Sequence, residues 1–153
     1  MGRGHGGYTE ISSGHNYKDS GGRKVTDSGA IFVAEKYIDA GYESVFRQRH
    51  DNQQTYDLTI KTSDDAHYVK NIEVKQVVSK NPSKLATNID NAFNQVKEGG
   101  TVAIYLSKMK RSDVSERFAR EGFAEAQQKG WVIGKVEVWF SDTKSVNDKF
   151  DLN

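Results

Sequence analysis

Three charged residues near the middle of the chain have the types and the spacing for phosphodiester chemistry. Asp57 lies in the alternating run TYDLTIKT, and Glu73 and Lys75 lie two residues apart in NIEVKQVV. Because successive side chains of a strand point to opposite faces, Glu73 and Lys75 share one face. If the two runs form a hairpin that turns near Asp65, Asp57 lies opposite Glu73 and points to that same face. A shift of one residue in the turn would separate them.

This trio of side chains predicts a site for a divalent cation. Two neighbouring carboxylates repel each other unless a cation lies between them. Mg²⁺ suits the site best because it prefers oxygen ligands and keeps several waters, and Mn²⁺ and Zn²⁺ are the alternatives. A bound metal lowers the pKa of a water and stabilises charge on a phosphoryl oxygen, and a lysine beside it orients the nucleophile or stabilises the transition state. The interpretation is metal-assisted phosphodiester hydrolysis, with Asp57 and Glu73 as metal ligands.

The elements that would position the trio follow from the periodicity of the apolar residues. Helical spacing predicts helices in SGAIFVAEKYIDAGY, SKLATNIDNAFNQVKEGG and RSDVSERFAREGFAEAQQKG. Strands are predicted in ESVFRQRH, TYDLTIKT, HYVKNIEVKQVV, TVAIYLS and WVIGKVEVWFSD. The order α-β-β-β-α-β-α-β predicts an α/β (α+β) fold, a mixed sheet flanked by helices.

In this order of elements, Asp57 followed by Glu73-Val74-Lys75 resembles the D…(D/E)-x-K signature of the PD-(D/E)XK nuclease superfamily. The resemblance covers roughly residues 28–107 and departs from the pattern at Tyr56, which stands where the family has proline. It implies the PD-(D/E)XK core, endonuclease activity and dependence on a divalent metal.

The resemblance also implies further site residues. An acidic residue on the first helix often joins the site, and Glu35 is the matching position. The helix after the third strand often contributes a polar residue, here Gln95 or Asn91, and Gln76 follows the lysine directly. The catalytic set implied in this way is Asp57, Glu73, Lys75, Glu35, Gln76 and Gln95.

Composition divides the chain into three parts. Residues 1–27 are rich in Gly and Ser and are predicted to be a tail or linker, residues 28–143 a single nuclease-like domain, and residues 144–153 a polar C-terminal tail. This organisation looks similar to the C-terminal nuclease toxin domains of bacterial contact-dependent growth-inhibition proteins. That likeness implies export as part of a larger toxin, delivery to a target-cell cytoplasm, a cognate immunity protein and a nucleic-acid substrate, with tRNA favoured over DNA.

Charge and composition exclude several other classes of protein. The chain has no cysteine, which excludes disulfides, thiolate metal sites and a cysteine nucleophile. No apolar run is long enough to span a membrane and no secretory signal is present, so the chain is expected to be soluble. The 22 basic and 21 acidic residues nearly cancel, so nucleic-acid binding would depend on local patches. The candidates for phosphate contact are Lys80, Lys84, Arg117 and Arg120.

Three alternatives compete with the metal-dependent nuclease. Glu73 and Lys75 also fit an ordinary charge pair on a solvated strand. His50 and His67 flank the second and third strands and could serve as acid and base in a metal-independent ribonuclease. A non-catalytic module that binds nucleic acid or protein would need none of this chemistry.

Overall fold

The computed structural model describes residues 17–47, 57–62 and 69–153. It contains three α-helices and six β-strands among these residues, in the predicted order with one additional strand at the end. The elements are α1 (Ser28–Asp39), β1 (Tyr42–Phe46), β2 (Leu58–Thr62), β3 (Val69–Gln76), α2 (Pro82–Val96), β4 (Thr101–Leu106), α3 (Asp113–Gln128), β5 (Lys135–Phe140), a 3-10 turn (Val146–Asp148) and β6 (Phe150–Asp151).

The strands form one mixed sheet with the order β1-β2-β3-β4-β5-β6. β1, β2 and β3 are antiparallel neighbours, β3, β4 and β5 are parallel, and β6 returns antiparallel to β5. Parallel neighbours need a crossover connection, and α2 and α3 provide the two crossovers. The predicted α/β class, with a mixed sheet flanked by helices, is confirmed.

The register between β2 and β3 agrees with the predicted hairpin. Leu58 pairs with Ile72 and Thr59 pairs with Asn71. Continuing this pairing by one residue would oppose Asp57 and Glu73, but β2 begins at Leu58, so Asp57 lies just before the strand. The predicted turn near Asp65 lies outside the described residues.

The alternation of side chains along β3 assigns one face of the sheet to α1 and the other to α2 and α3. Ile72 and Val74 belong to the core that includes Ala30 and Val33 of α1. The other core is formed by apolar side chains of α2, α3, β4 and β5, and it also includes Val77. Residues 73 and 75 therefore lie on the α2 side of the sheet.

The boundaries of the folded unit differ from the prediction at both ends. Tyr17 is fully buried and its ring lies 5.2 Å from that of Phe46, so the chain joins the core well before residue 28. Residues 150–151 form β6, and the Phe150 ring packs 6.2 Å from that of Phe140. The predicted tails thus each contain a segment that packs on the domain, because one aromatic residue in a polar segment leaves no periodic signal. Residues 1–16 of the predicted N-terminal tail lie outside the described residues.

A glycine sets the distance between α2 and α3. Gly122 of α3 is buried against Leu85 of α2, and a Cβ added at Gly122 would lie 2.8 Å from the Cβ of Leu85. Real Cβ atoms essentially never approach so closely, and the Cβ of Leu85 cannot move without its backbone. The two helices would have to separate to admit a methyl group.

We therefore expect Gly122→Ala to lower the free energy of unfolding by about 1–3 kcal/mol, measured by urea denaturation. An alanine for glycine exchange inside an unconstrained helix would instead stabilise by about 1 kcal/mol. A Leu85→Ala background removes the contacts with the rest of the leucine side chain and keeps only the one with Cβ, so the same Gly122→Ala change should cost less there. A destabilisation of equal size in both backgrounds would contradict this account of the helix contact.

Candidate active site

Glu73 is a buried carboxylate in the middle of the sheet. It is 1% exposed, and the ammonium Nζ of Lys75 lies 3.4 Å from its Oε2. The Lys75 side chain is 24% exposed, so it reaches from the buried carboxylate towards solvent. Burial of a carboxylate is costly unless a cation or hydrogen-bond donors accompany it. This placement differs from that of an ordinary charge pair on a solvated strand.

The second partner of Glu73 comes from the next helix. Gln95, near the end of α2, faces the Glu73 carboxylate. With its amide nitrogen turned to the carboxylate, Gln95 donates to both oxygens, to Oε1 at 3.1 Å. The crossover from β3 through α2 thus brings a side chain 22 positions further along the chain onto Glu73. Asn91, the alternative to Gln95, is exposed.

Asp57 is hydrogen-bonded to the backbone of both neighbours of Glu73, Ile72 and Val74. Its amide nitrogen donates to the carbonyl oxygen of Ile72 at 3.0 Å, and its Oδ2 accepts a hydrogen bond from the amide nitrogen of Val74, also at 3.0 Å. Asp57 is 8% exposed. The sequence predicted Asp57 beside this part of β3, and the structure brings it there.

The other surroundings of Asp57 belong to the α1 side of the sheet. Asp57 lines a cavity of about 170 Å³ together with Lys24, Asp27, Arg47 and Ala30. Gln95, in contrast, approaches Glu73 from α2. Asp57 is therefore hydrogen-bonded to Val74, the residue next to Glu73 on β3. The cavity beside Asp57 lies on the α1 side of the sheet, however, whereas Gln95 reaches Glu73 from the α2 side.

Glu35 and Gln76 are also on the α1 side. The hydroxyl of Tyr17 donates to Glu35 Oε2 at 2.8 Å. Gln76 accepts a hydrogen bond from Ser28 Oγ at 3.1 Å and donates through Nε2 to Ser107 Oγ at 2.9 Å. The structure does not bring Glu35 beside Glu73 and Lys75, because α1 covers the opposite face of β3. The sequence could not reveal this, since periodicity does not say which helix covers which face.

The carboxylates to consider as ligands of a hard divalent cation are Asp57 and Glu73, whose other surroundings lie on different sides of the sheet. Within residues 17–47, 57–62 and 69–153, no group of three or more acidic or histidine side chains is arranged to hold a metal ion. Mg²⁺, however, is commonly bound through one or two carboxylates and several waters, and Asp57 and Glu73 are two carboxylates fixed to adjacent stretches of backbone.

Of the four candidate phosphate contacts, Arg120 is already engaged. Its Nη2 lies 3.1 Å from Glu116 Oε1, and its guanidinium lies 5.2 Å from the centre of the Phe150 ring. Hydrogen bonding from Arg111, reinforced by Arg120, lowers the pKa of Glu116 below its usual value. Lys80, Lys84 and Arg117 are exposed.

The histidines of the metal-independent alternative, His50 and His67, lie outside the described residues, as do His5 and His15.

A third buried carboxylate, Glu137 on β5, was not anticipated from the sequence. It is 2% exposed and lies on the α1 side of the sheet, where the Tyr37 hydroxyl is 3.1 Å from both of its oxygens. Trp139 Nε1 donates to it at 3.2 Å, and the ammonium groups of Lys70 and Lys149 lie 3.0 and 3.3 Å away. These partners come from α1, β3, β5 and the C-terminal segment, so no local pattern in the sequence could indicate the cluster.

No protein-family model, curated protein or solved structure gave a significant match to the chain. None of the helices in the described part of the chain is long and apolar enough to cross a membrane.

The Glu137 cluster generates a prediction about alkaline unfolding. Burial disfavours the charged form of Lys149, but the carboxylates of Glu137 and Asp151 outweigh it and raise the pKa of Lys149 above the ordinary 10.5. A raised lysine pKa stabilises the fold fully below the unfolded value of 10.5, and this contribution is lost as the pH rises through the folded-state pKa.

We expect Lys149→Met to lower the free energy of unfolding at pH 8 by about 1.5–3 kcal/mol, and the difference from wild type to shrink above pH ~10.5. Urea denaturation at a series of pH values measures this. Lys144→Met removes an exposed lysine near Lys149 and should have little effect at any pH. If the two variants behave alike, the Glu137 cluster does not contribute in this way.

Proposed function

We propose that the chain is a metal-dependent endonuclease that hydrolyses phosphodiester bonds, with tRNA favoured over DNA as substrate. The observation that carries the proposal is the position of Lys75, which is 24% exposed and lies 3.4 Å from the buried carboxylate of Glu73, next to the backbone amide of Val74 that binds Asp57. The resemblance to the PD-(D/E)XK nucleases supports it from the sequence.

Each side chain has a distinct part in this proposal. Glu73 and Asp57 would hold the divalent ion, which when bound lowers the pKa of a water and stabilises charge on the phosphoryl oxygens. Gln95 keeps Glu73 in one orientation through its hydrogen bonds to both carboxylate oxygens. The Lys75 ammonium, held by Glu73, contacts the reacting phosphate and stabilises the negative charge that grows on it. Gln76 and Glu35 lie on the α1 side and have no part in this step.

The reaction is a hydrolysis and needs no redox partner. The oxygen of a water molecule forms a bond to phosphorus, and the bond between phosphorus and the leaving sugar oxygen breaks. The water gives up a proton and the leaving oxygen takes one up, so that one strand end carries a phosphate and the other a hydroxyl. Lys75 stabilises charge during the step and is unchanged after it.

The biological setting is proposed on the resemblance alone. A toxin domain of the contact-dependent growth-inhibition type would be exported within a larger protein and would act in the cytoplasm of a target cell. The producing cell would need an immunity protein that binds the domain. Expression of the wild-type chain in a bacterial host should then stop growth, and expression of the Lys75→Ala variant should not.

The decisive experiment incubates purified protein with total tRNA and, separately, with plasmid DNA, each in Mg²⁺, in Mn²⁺ and in EDTA. We expect cleavage of tRNA that requires metal and that falls by about 10²–10³-fold in Lys75→Ala and in Asp57→Ala. Lys61→Ala is the matched control, because Lys61 is also a strand lysine beside a carboxylate, 3.6 Å from Glu43, but is more exposed.

Three outcomes would contradict the proposal. Cleavage that persists in EDTA and in both variants would assign the chemistry to His50 and His67. Equal loss of cleavage in Lys61→Ala and Lys75→Ala would indicate a general effect of the lost charge or of unfolding. Circular dichroism of the variants distinguishes these two causes. No cleavage of either substrate by folded protein would favour the non-catalytic binding module.

A further inference from the structure

A groove lies at the carboxyl ends of β3 and β4, beside the first turn of α3. It has a volume of about 290 Å³. Lys80, from the connection after β3, and Lys108 and Lys110, from the connection after β4, contribute to its walls. None of the described residues that line it is acidic.

The three lysines differ from the lysines that line the buried carboxylates. Lys70, Lys75 and Lys149 each lie within 4.0 Å of a carboxylate oxygen. Within the described residues, Lys80, Lys108 and Lys110 have no such ion pair, and all three are exposed. Three unneutralised ammonium groups around one groove attract an anionic ligand. Because they lie on two different connections, they can contact successive negative charges of a polyanion.

The floor of the groove is apolar and partly open to solvent. Val114 of α3 is 72% exposed, an unusual exposure for a large apolar side chain in this molecule. Met109 and Phe118 line the groove beside it and pack against the α2–α3 core. A ligand that fills the groove must therefore offer an apolar surface as well as negative charge.

The groove lies just beyond the carboxyl end of β3, the strand that carries Glu73 and Lys75. Gln76 pairs with Tyr105 at the ends of β3 and β4, and the Gln76 amide donates to the hydroxyl of Ser107, the residue before Lys108. Lys80 follows Lys75 by five positions, so their Cα atoms are at most about 18 Å apart. In sheets with parallel strands, ligands commonly bind outside the carboxyl ends of the strands.

We propose that this groove binds an unpaired segment of a polynucleotide, with its phosphates against the three lysines and one base on the apolar floor. The inference rests on the proposed nuclease function and adds the class of substrate. A duplex hides the faces of its bases and offers mainly phosphates and sugars, whereas an unpaired strand exposes a base that can cover Val114 and Met109. The enzyme would thus cut loops and single-stranded ends in preference to continuous duplex.

The test measures binding without cleavage. Fluorescein-labelled U12 RNA is titrated in EDTA with the Lys75→Ala protein, and binding is followed by fluorescence anisotropy at several salt concentrations. The triple variant Lys80→Gln, Lys108→Gln, Lys110→Gln is compared with Lys97→Gln, Lys129→Gln, Lys135→Gln. The control set removes the same charge near the amino ends of β4 and β5, at the opposite end of the parallel strands.

We expect the groove variant to lose at least about tenfold in affinity and the slope of log K against log salt to fall by about 2, at roughly 0.7 per lost phosphate contact. The control variant should bind like the parent.

For the apolar floor of the groove, Val114→Ser should reduce the preference for U12 over a paired RNA of equal length by about five- to tenfold. Ile133→Ser, another exposed apolar residue, should leave that preference unchanged.

Other outcomes overturn the inference. Equal losses in the two triple variants would show non-specific attraction, and tighter binding of duplex than of U12 would exclude an unpaired ligand. Displacement of U12 by polyglutamate as readily as by unlabelled U12 would favour an acidic protein segment as the occupant. If the wild type cleaves with metal but the groove variant binds U12 as well as its parent, the groove proposal alone is overturned. If binding depends on the groove but no protein cleaves, the nuclease proposal alone is overturned.

Discussion

The burial of Glu73 on β3 is the constraint on which the arrangement of the surrounding elements depends. A carboxylate that is 1% exposed needs charged or polar partners, because an unpaired buried charge costs several kcal/mol. One partner, Lys75, is supplied by the strand itself, two residues further on. The other, Gln95, is supplied only if α2 crosses back over β3 after the strand ends. The path of the crossover thus determines how the carboxylate is paired.

Two buried carboxylates on opposite faces of one sheet, Glu137 and Glu73, have different surroundings. Glu137 is enclosed by two lysines, a tyrosine and an indole, and the side chains of Lys70 and Lys149 are only 18% and 12% exposed. Such a closed cluster ties distant segments together. The lysine of Glu73, Lys75, is 24% exposed. The lysines around Glu137 are thus somewhat more enclosed than the lysine of Glu73.

Sequence periodicity could predict most of the fold, because burial of one face makes apolar residues recur with a period of two in a strand and of 3.6 in a helix. Leu58 and Ile60 are fully buried at alternate positions of β2, and Leu85 and Ile89 are fully buried one turn apart on α2. The register of the hairpin followed from the same alternation, since a shift of one residue would turn these side chains to the wrong face. The candidate site could be predicted as far as the vicinity of Asp57, Glu73 and Lys75, because these residues lie on two strands that pair directly.

The sequence by itself therefore determined the order of the elements, the pairing of β2 with β3 and the face that Glu73 shares with Lys75. Only the tertiary structure decided which helix covers that face, so it alone separated Glu35 from Glu73 and brought Gln95 to it. It also decided that Tyr17 packs into the core and that Glu137 is buried. The physical reason is that local periodicity reports whether a side chain is buried, whereas the identity of its partners depends on crossovers and packing between residues far apart in the chain.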